Sequence, residues 1–84
     1  MASDTQFSDV TEGIRKIVAT ALDIDLSAID IDTTAEDHDS WDSMEHLRIV
    51  LAIEAQFDVQ FQPDELGTHG SVRSLVAFVT QHSK

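Results

Sequence analysis

The sequence predicts an all-α protein, a small four-helix bundle with three main helices, one short helix and a long loop between helices 1 and 2. Three segments carry apolar residues at the spacing of an amphipathic helix. Only one long segment alternates apolar and polar residues, and a lone strand would have no partner with which to form a sheet. We expect the 84 residues, which contain no linker or repeat, to form a single domain over residues 1–84.

The first helix is predicted over roughly Asp4 to Ala21. Its apolar positions recur at the helical period and define one face: Phe7, Val10, Ile14, Ile17, Val18 and Ala21. Gly13 lies in the middle of this segment. A glycine inside a helix costs roughly 1 kcal/mol relative to alanine, so it weakens the helix on propensity alone.

The segment from Leu22 to Ser40 loses this period and instead spaces aliphatic residues among aspartates: Leu22, Ile24, Leu26, Ile29 and Ile31. Because no second long strand is available to pair with it, we interpret it as an ordered loop held by these aliphatic side chains. Trp41 follows the loop, and we expect it to be partly buried against the bundle.

The remaining helices have recognisable starts and stops. The second helix is predicted to end at Phe57 and to present a broad apolar face: Met44, Leu47, Val50, Leu51, Ile53 and Phe57. After a short extended piece, a one-turn helix is predicted between Pro63, a suitable first helical residue, and Gly67, a stop. Ser71 is expected to cap a last helix whose apolar face comprises Val72, Leu75, Val76 and Val79.

The charge of the chain is strongly negative. Its formal net charge is -11, from sixteen acidic and five basic residues, and nine of the acids lie between Asp23 and Glu45. Such a surface repels nucleic acid and anionic lipid and favours a basic protein partner, so we expect no nucleic-acid partner, no membrane insertion and a monomer. The first ten residues lack the pattern of a signal peptide, which favours the cytoplasm.

Several kinds of site are disfavoured by the sequence. The chain has no cysteine, which excludes disulfides and thiolate metal sites. Calcium loops of the EF-hand type starting at Asp23 or at Asp30 would need glycine at their sixth position, where both have alanine, and glutamate at the twelfth, where they have Thr34 and Trp41. No two histidines are three or four residues apart, and "WDSME" lacks the glycines of a hydrolase nucleophile elbow.

The stretch "DHDSWDSMEHL" contains the most informative serine. Asp42, followed three residues later by Glu45, is typical of a helix N-cap with a capping-box acid. Ser43 then becomes the first helical residue, with its hydroxyl at the positive end of the helix dipole. A phosphate on that hydroxyl would be favoured by roughly 0.3–1 kcal/mol.

The longer stretch "DSWDSMEHLRIVLAIEAQFDVQF" resembles the central motif of acyl carrier proteins, in which an Asp-Ser-Leu or Asp-Ser-Met triplet opens the second helix of a four-helix bundle. The resemblance covers nearly the whole chain, from the first helix to the closing "SVRSLVAFV". In that family the serine is esterified with 4'-phosphopantetheine from coenzyme A, whose thiol carries acyl groups as thioesters. The resemblance therefore implies that Ser43 is the attachment site.

The family resemblance also implies roles for neighbouring residues. Met44 would be an apolar contact for partner enzymes, and three acids, Asp42, Glu45 and Glu54, would face their basic surfaces. The implied partners are a phosphopantetheinyl transferase, an acyl- or aminoacyl-loading ligase or transferase, and downstream synthases or transferases. His46 and Arg48 depart from the acidic pattern of this helix. Trp41 and Arg48 together favour a specialised pathway over housekeeping fatty acid synthesis.

Three functional hypotheses follow, and they differ in class. In the first, the protein is a free-standing carrier that catalyses nothing itself, because the chain lacks the Pro-rich or Ala-rich flanks of a module from a larger synthase. In the second, it is an acidic helical adaptor for a basic protein and bears no prosthetic group. In the third, it is a calcium sensor, which the two failed loop registers disfavour.

Overall fold

The computed structural model describes the backbone of residues 2–65 and 70–82 and the side chains of residues 9–65 and 70–82. Within these ranges the protein is helical and contains no strand, which confirms the all-α prediction. The three α-helices are α1 (Ala2–Leu22), α2 (Ser43–Phe57) and α3 (Val72–His82). Three short 3₁₀ helices lie between them, at Leu26–Ala28, Ala35–Asp37 and Pro63–Glu65.

Helix α1 packs against both α2 and α3. It begins two residues before the predicted start and ends one residue after the predicted end. Val10, Ile14 and Val18 of the predicted face are buried in the core, whereas Ile17 and Ala21 are partly buried at its edge. Phe7, the remaining member of that face, has a side chain outside the described residues.

Gly13 allows a close approach between α1 and the end of α2. A β-carbon placed on Gly13 would lie 2.7 Å from Cζ of Phe57 and 2.9 Å from Nε2 of Gln56, both too short for real contacts. The glycine that appears only as a helix weakness in the sequence therefore makes room for the ring of Phe57, which packs against the core.

The segment between α1 and α2 is an ordered loop, as predicted, and three of its aliphatic side chains lie in or against the core. Ile29 is fully buried, and Ile24 and Leu26 pack against the core. Arg15 holds the loop from α1: its Nε donates to the Ile29 carbonyl at 2.6 Å and its Nη2 donates to the Leu26 carbonyl at 3.2 Å. The two 3₁₀ helices within this loop, Leu26–Ala28 and Ala35–Asp37, were not predicted from the sequence.

The end of this loop pairs with the start of α3. Ala35 N–H donates to the Gly70 carbonyl at 2.7 Å, and Val72 N–H donates to the Thr33 carbonyl at 2.9 Å. These bonds flank an isolated antiparallel bridge between Thr34 and Ser71. The loop is therefore fixed at both ends, by α1 and by the segment that leads into α3.

Helix α3 follows its predicted pattern. Ser71 Oγ accepts a hydrogen bond from Ser74 N–H at 3.1 Å, which confirms the predicted cap. All four predicted core residues are fully buried, and Phe78 is buried as well, with its ring 4.0 Å from that of Phe61. Pro63 begins the short helix as predicted, whereas the predicted stop at Gly67 lies outside the described residues.

No helix in residues 2–65 and 70–82 combines the length and the apolar composition needed to cross a membrane.

Candidate functional site

The first residue of α2 is Ser43, as the sequence predicts. Asp42 has the extended backbone of an N-cap, and its Oδ1 accepts a hydrogen bond from Glu45 N–H at 2.9 Å. The carbonyl of Asp42 accepts the first helical bond, from His46 N–H at 2.8 Å. Ser43 is exposed, so its hydroxyl is accessible at the N-terminus of the helix.

The predicted capping box is only half formed. Glu45 does not return a hydrogen bond to the backbone of Asp42; instead its Oε2 lies 3.8 Å from Nη1 of Arg48. Its Oε1 is buried and has no hydrogen-bond partner among the described residues. The prediction of a reciprocal cap was therefore wrong, because Arg48, one turn along the helix, competes for the carboxylate.

The apolar face predicted for α2 is divided into two stripes. Ile49, Val50 and Ile53 are fully buried against the core, and Phe57 is partly buried. The other stripe points to solvent and starts beside Ser43: Met44 is 69% exposed, Leu47 46% and Leu51 54%. The prediction of a single broad apolar face is thus wrong, and the exposure of Met44 agrees with the partner contact that the family resemblance implies for it.

Trp41, which precedes α2, forms a pair with His46 near the start of that helix. The indole Nε1–H donates to Nδ1 of His46 at 3.0 Å, with the ring centroids 6.1 Å apart and the planes 24° from parallel. Trp41 is only 4% exposed, more buried than the sequence led us to expect. The sequence pattern does not predict this bond, because its partners are five residues apart and only His46 lies in a helix.

A groove opens beside the hydroxyl of Ser43. Its volume is about 550 Å³, and it lies between the start of α2 and the paired segments before it and before α3. Its lining residues are Ala35, Trp41, Asp42, Ser43, His46, Leu47 and Gly70. Sequence reasoning missed Ala35 and Gly70, because the hydrogen bond between their backbones links residues that are distant along the chain.

The three acids expected to contact partners are in different environments. Asp42 is exposed, and Glu45 is half-buried beside Arg48. Glu54 is also half-buried, and its Oε2 accepts a hydrogen bond from Phe61 N–H at 2.7 Å, so that it ties α2 to the segment that follows. Among the described residues, no cluster of three or more histidine and acidic side chains has the geometry to hold a metal ion.

Comparison with known families identifies the chain. Residues 12–79 match the family described as "Phosphopantetheine attachment site". This range covers most of the chain, from the middle of α1 to the last turns of α3, and includes Ser43 and the groove beside it.

Individual relatives agree with the family match. The chain is 33% identical over 75 residues to the acyl carrier protein of Caulobacter vibrioides (strain NA1000 / CB15N), covering 88% of this chain and 95% of the relative. It is 33% identical over 75 residues to that of Phenylobacterium zucineum, covering 88% and 94%. It is 34% identical over 70 residues to "Acyl carrier protein 3" of Ralstonia nicotianae, covering 83% and 80%. A helical fold, a family match over most of the chain and these relatives lead to one conclusion: the chain belongs to the acyl carrier protein family, whose members bear a covalently attached 4'-phosphopantetheine.

Proposed function

We propose that Ser43 is the residue esterified with 4'-phosphopantetheine and that the protein carries acyl or aminoacyl intermediates as thioesters on this arm. The observation that carries the proposal is the position of Ser43 as the exposed first residue of α2. Its hydroxyl is accessible to a modifying enzyme, and the Asp42 cap fixes where the helix begins.

The chemistry of this helix end fits a phosphodiester. The first amide groups of an α-helix have no acceptor within the helix, so N–H groups near Ser43 are available to phosphate oxygens. The helix dipole adds a favourable interaction with the negative charge of roughly 0.3–1 kcal/mol. Asp42 lies close by and opposes that charge, but it is exposed, so water and salt weaken the repulsion.

The attached arm supplies a terminal thiol, which forms the thioester with the cargo. The protein contributes position rather than catalysis: a flexible tether keeps the thioester near the active site of whichever enzyme is docked on the carrier. Ser43, at the end of a rigid helix, holds the base of the tether at one point. Enzymes that recognise α2 then find the arm in a constant place.

We infer that partner enzymes dock on the start and the outer stripe of α2. Three observations support this surface: the exposure of Met44 beside Ser43, the continuation of the stripe through Leu47 and Leu51, and the acids that flank it. Asp42 and Glu45 are close enough to Ser43 to meet basic side chains of a transferase or synthase. The recognition role expected for Glu54 has the least support, since its carboxylate binds the backbone of Phe61.

The implied partners are a phosphopantetheinyl transferase, an acyl- or aminoacyl-loading ligase or transferase, and downstream synthases of fatty acid, polyketide or another specialised pathway. Arg48 favours a specialised pathway. It lies 69% exposed next to the outer stripe, where an enzyme surface that is basic throughout would be repelled. An enzyme built for this carrier would need an acidic or neutral group opposite Arg48.

The proposal is tested by intact mass after incubation with coenzyme A and a promiscuous phosphopantetheinyl transferase. We expect the mass to increase by one phosphopantetheine in the wild type and in Ser40→Ala, but not in Ser43→Ala. Ser40 is a matched control because it is an exposed serine in the same acidic stretch. A modified Ser43→Ala protein would contradict the assignment, and no modification of any form would favour the acidic adaptor.

A further inference from the structure

The groove beside Ser43 has the size and position to hold what the serine carries. Its volume of about 550 Å³ lies within the range of roughly 300–1,000 Å³ typical of small-molecule sites. Ala35 and Leu47 contribute apolar surface, and Ser43 itself is part of the lining, so an arm attached there starts at the groove.

Trp41 connects this groove with the core. Trp41 and His46 both line the groove, and Trp41 also belongs to the buried core cluster. Because the indole nitrogen can only donate, its hydrogen bond at 3.0 Å requires Nδ1 of His46 to be an acceptor. The bond therefore fixes the orientation of both rings.

Most core residues of α2 and α3 are fully enclosed. Six of them have no solvent exposure and do not line the groove: Ile49, Val50, Ile53, Leu75, Val76 and Val79. A chain that passed from the groove into the bundle at Trp41 would have to displace this ring, which is 4% exposed. Displacement would break its hydrogen bond to His46 and expose a buried aromatic surface to water, and both changes cost free energy.

We infer that the groove lined by Trp41, His46, Leu47, Ala35 and Gly70 holds the phosphopantetheine arm and the first part of its cargo at the surface, and that the Trp41–His46 pair closes the route into the core. The inference rests on the attachment at Ser43. It limits the cargo to groups that tolerate exposure, such as short, polar or aminoacyl thioesters. A long alkyl chain would remain in water, where an enzyme can reach it.

The only tryptophan of the chain provides the test, because its indole N–H gives a single resonance in a ¹H–¹⁵N spectrum. Apo, phosphopantetheinyl, hexanoyl and dodecanoyl forms are prepared with the transferase and the matching coenzyme A derivatives, and each is checked by mass. We expect the indole resonance to move when the arm is attached. The methyl resonances of Ile53 and Val79 should not change with acyl length, and neither should the melting temperature.

A variant that fills the groove tests whether the arm binds there without changing any core residue. Gly70 does not have a positive φ, and a β-carbon on it would contact only Ala35, at an ordinary 3.8 Å. Gly70→Val therefore adds volume in the groove without backbone strain, and we expect it to abolish most of the indole shift. Ala77→Val introduces the same side chain at an exposed position of α3 and should preserve the shift.

Removing the barrier gives the complementary result. In Trp41→Ala the dodecanoyl form should melt at a higher temperature than the phosphopantetheinyl form, because the chain can then enter the bundle. An indole resonance that is the same in the apo and loaded wild type would overturn the inference. So would Ile53 and Val79 methyl shifts that grow with acyl length, accompanied by a rise in melting temperature of about 4 °C or more, the size of a modest stabilisation in so small a domain. If mass shows no attachment at Ser43, the proposed function itself has failed and the inference is refuted with it; attachment without an indole shift refutes the groove alone.

Discussion

Asp42 Oδ1 lies 2.9 Å from the amide nitrogen of Glu45, and this single bond defines where α2 begins. It makes Ser43 the first helical residue, so that its hydroxyl lies at the end of α2 where the first amide groups have no acceptor within the helix. The cap therefore connects the stability of α2 with the chemistry expected at Ser43.

Removing this cap should weaken both stability and modification. We expect Asp42→Ala to lower the free energy of unfolding by about 1 kcal/mol, the usual effect of losing an N-cap. Phosphopantetheinylation should also slow, since the start of the helix frays and an acid near Ser43 is lost. Asp42→Asn keeps a capping oxygen without the charge, so it should retain stability in urea denaturation but not the full rate of modification. Equal rates for Asp42→Asn and wild type would argue against an electrostatic role.

Arg15 should contribute more to stability than any surface ion pair. Its guanidinium donates to two loop carbonyls, and hydrogen bonds from charged groups are worth roughly 1.5–3 kcal/mol. We expect Arg15→Ala to destabilise the protein by about that amount in urea denaturation. Arg73→Ala is the control, because Arg73 pairs with Asp32 at 2.6 Å but both side chains are more than half exposed; its loss should cost less than about 1 kcal/mol. Equal effects would contradict the view that Arg15 fixes the loop.

Gly13→Ala should destabilise the protein although alanine is the better helix former. The gain in helix propensity is about 1 kcal/mol, whereas forcing extra volume into a packed contact costs about 1–3 kcal/mol. The added carbon would lie 2.7 Å from the ring of Phe57, so that ring must move. In a thermal melt, Phe57→Leu should therefore cost less in the Gly13→Ala background than in the wild type. A melting temperature raised by Gly13→Ala alone would show that the Phe57 ring moves aside at little cost, and it would contradict the prediction.

The two stripes of α2 should respond differently to truncation. Ile53→Ala removes a fully buried side chain and should cost about 2–5 kcal/mol, whereas Leu51→Ala should change stability little, within about 0.5 kcal/mol. If the outer stripe docks partners, Leu51→Ala and Met44→Ala should instead reduce the rate of modification by the transferase. Unchanged rates for both variants would argue against docking on that stripe.

Salt should stabilise the protein, since its net charge of -11 makes the folded state repel itself. We expect the melting temperature to rise between low and moderate concentrations of sodium chloride. An uncharged osmolyte of matched osmolality serves as the control for effects unrelated to charge. A melting temperature that does not change over this range would contradict the prediction.

Features governed by local sequence were predictable. The N-cap at Asp42, the cap at Ser71 and the core face of α3 each depend on residues within a few positions, and all three were confirmed. The apolar positions of α2 were too many for one face, and only packing decides which of them is buried. Met44, Leu47 and Leu51 recur at three- and four-residue intervals and form a stripe of their own, so the sequence contained a pattern from which a second apolar stripe could have been predicted.

Features that depend on distant contacts could not be predicted. Gly13 makes room for Phe57, and Ala35 meets Gly70 through a backbone hydrogen bond; neither relationship leaves a pattern along the chain. The bond between Trp41 and His46 joins an irregular residue to a helical one, so no helical period reveals it. The position of Ser43 as the first residue of α2 was predictable, and the groove beside it was not, because the groove is built by residues from three separate segments.

The most direct test of the central claim is the mass of the protein purified from the cells that make it, with the modified residue located by fragmentation of its peptides. The account predicts one phosphopantetheine on Ser43, with or without a thioester, and none on Ser40. A protein that carries no such group in cells with an active phosphopantetheinyl transferase, or that carries it on another residue, would contradict the account.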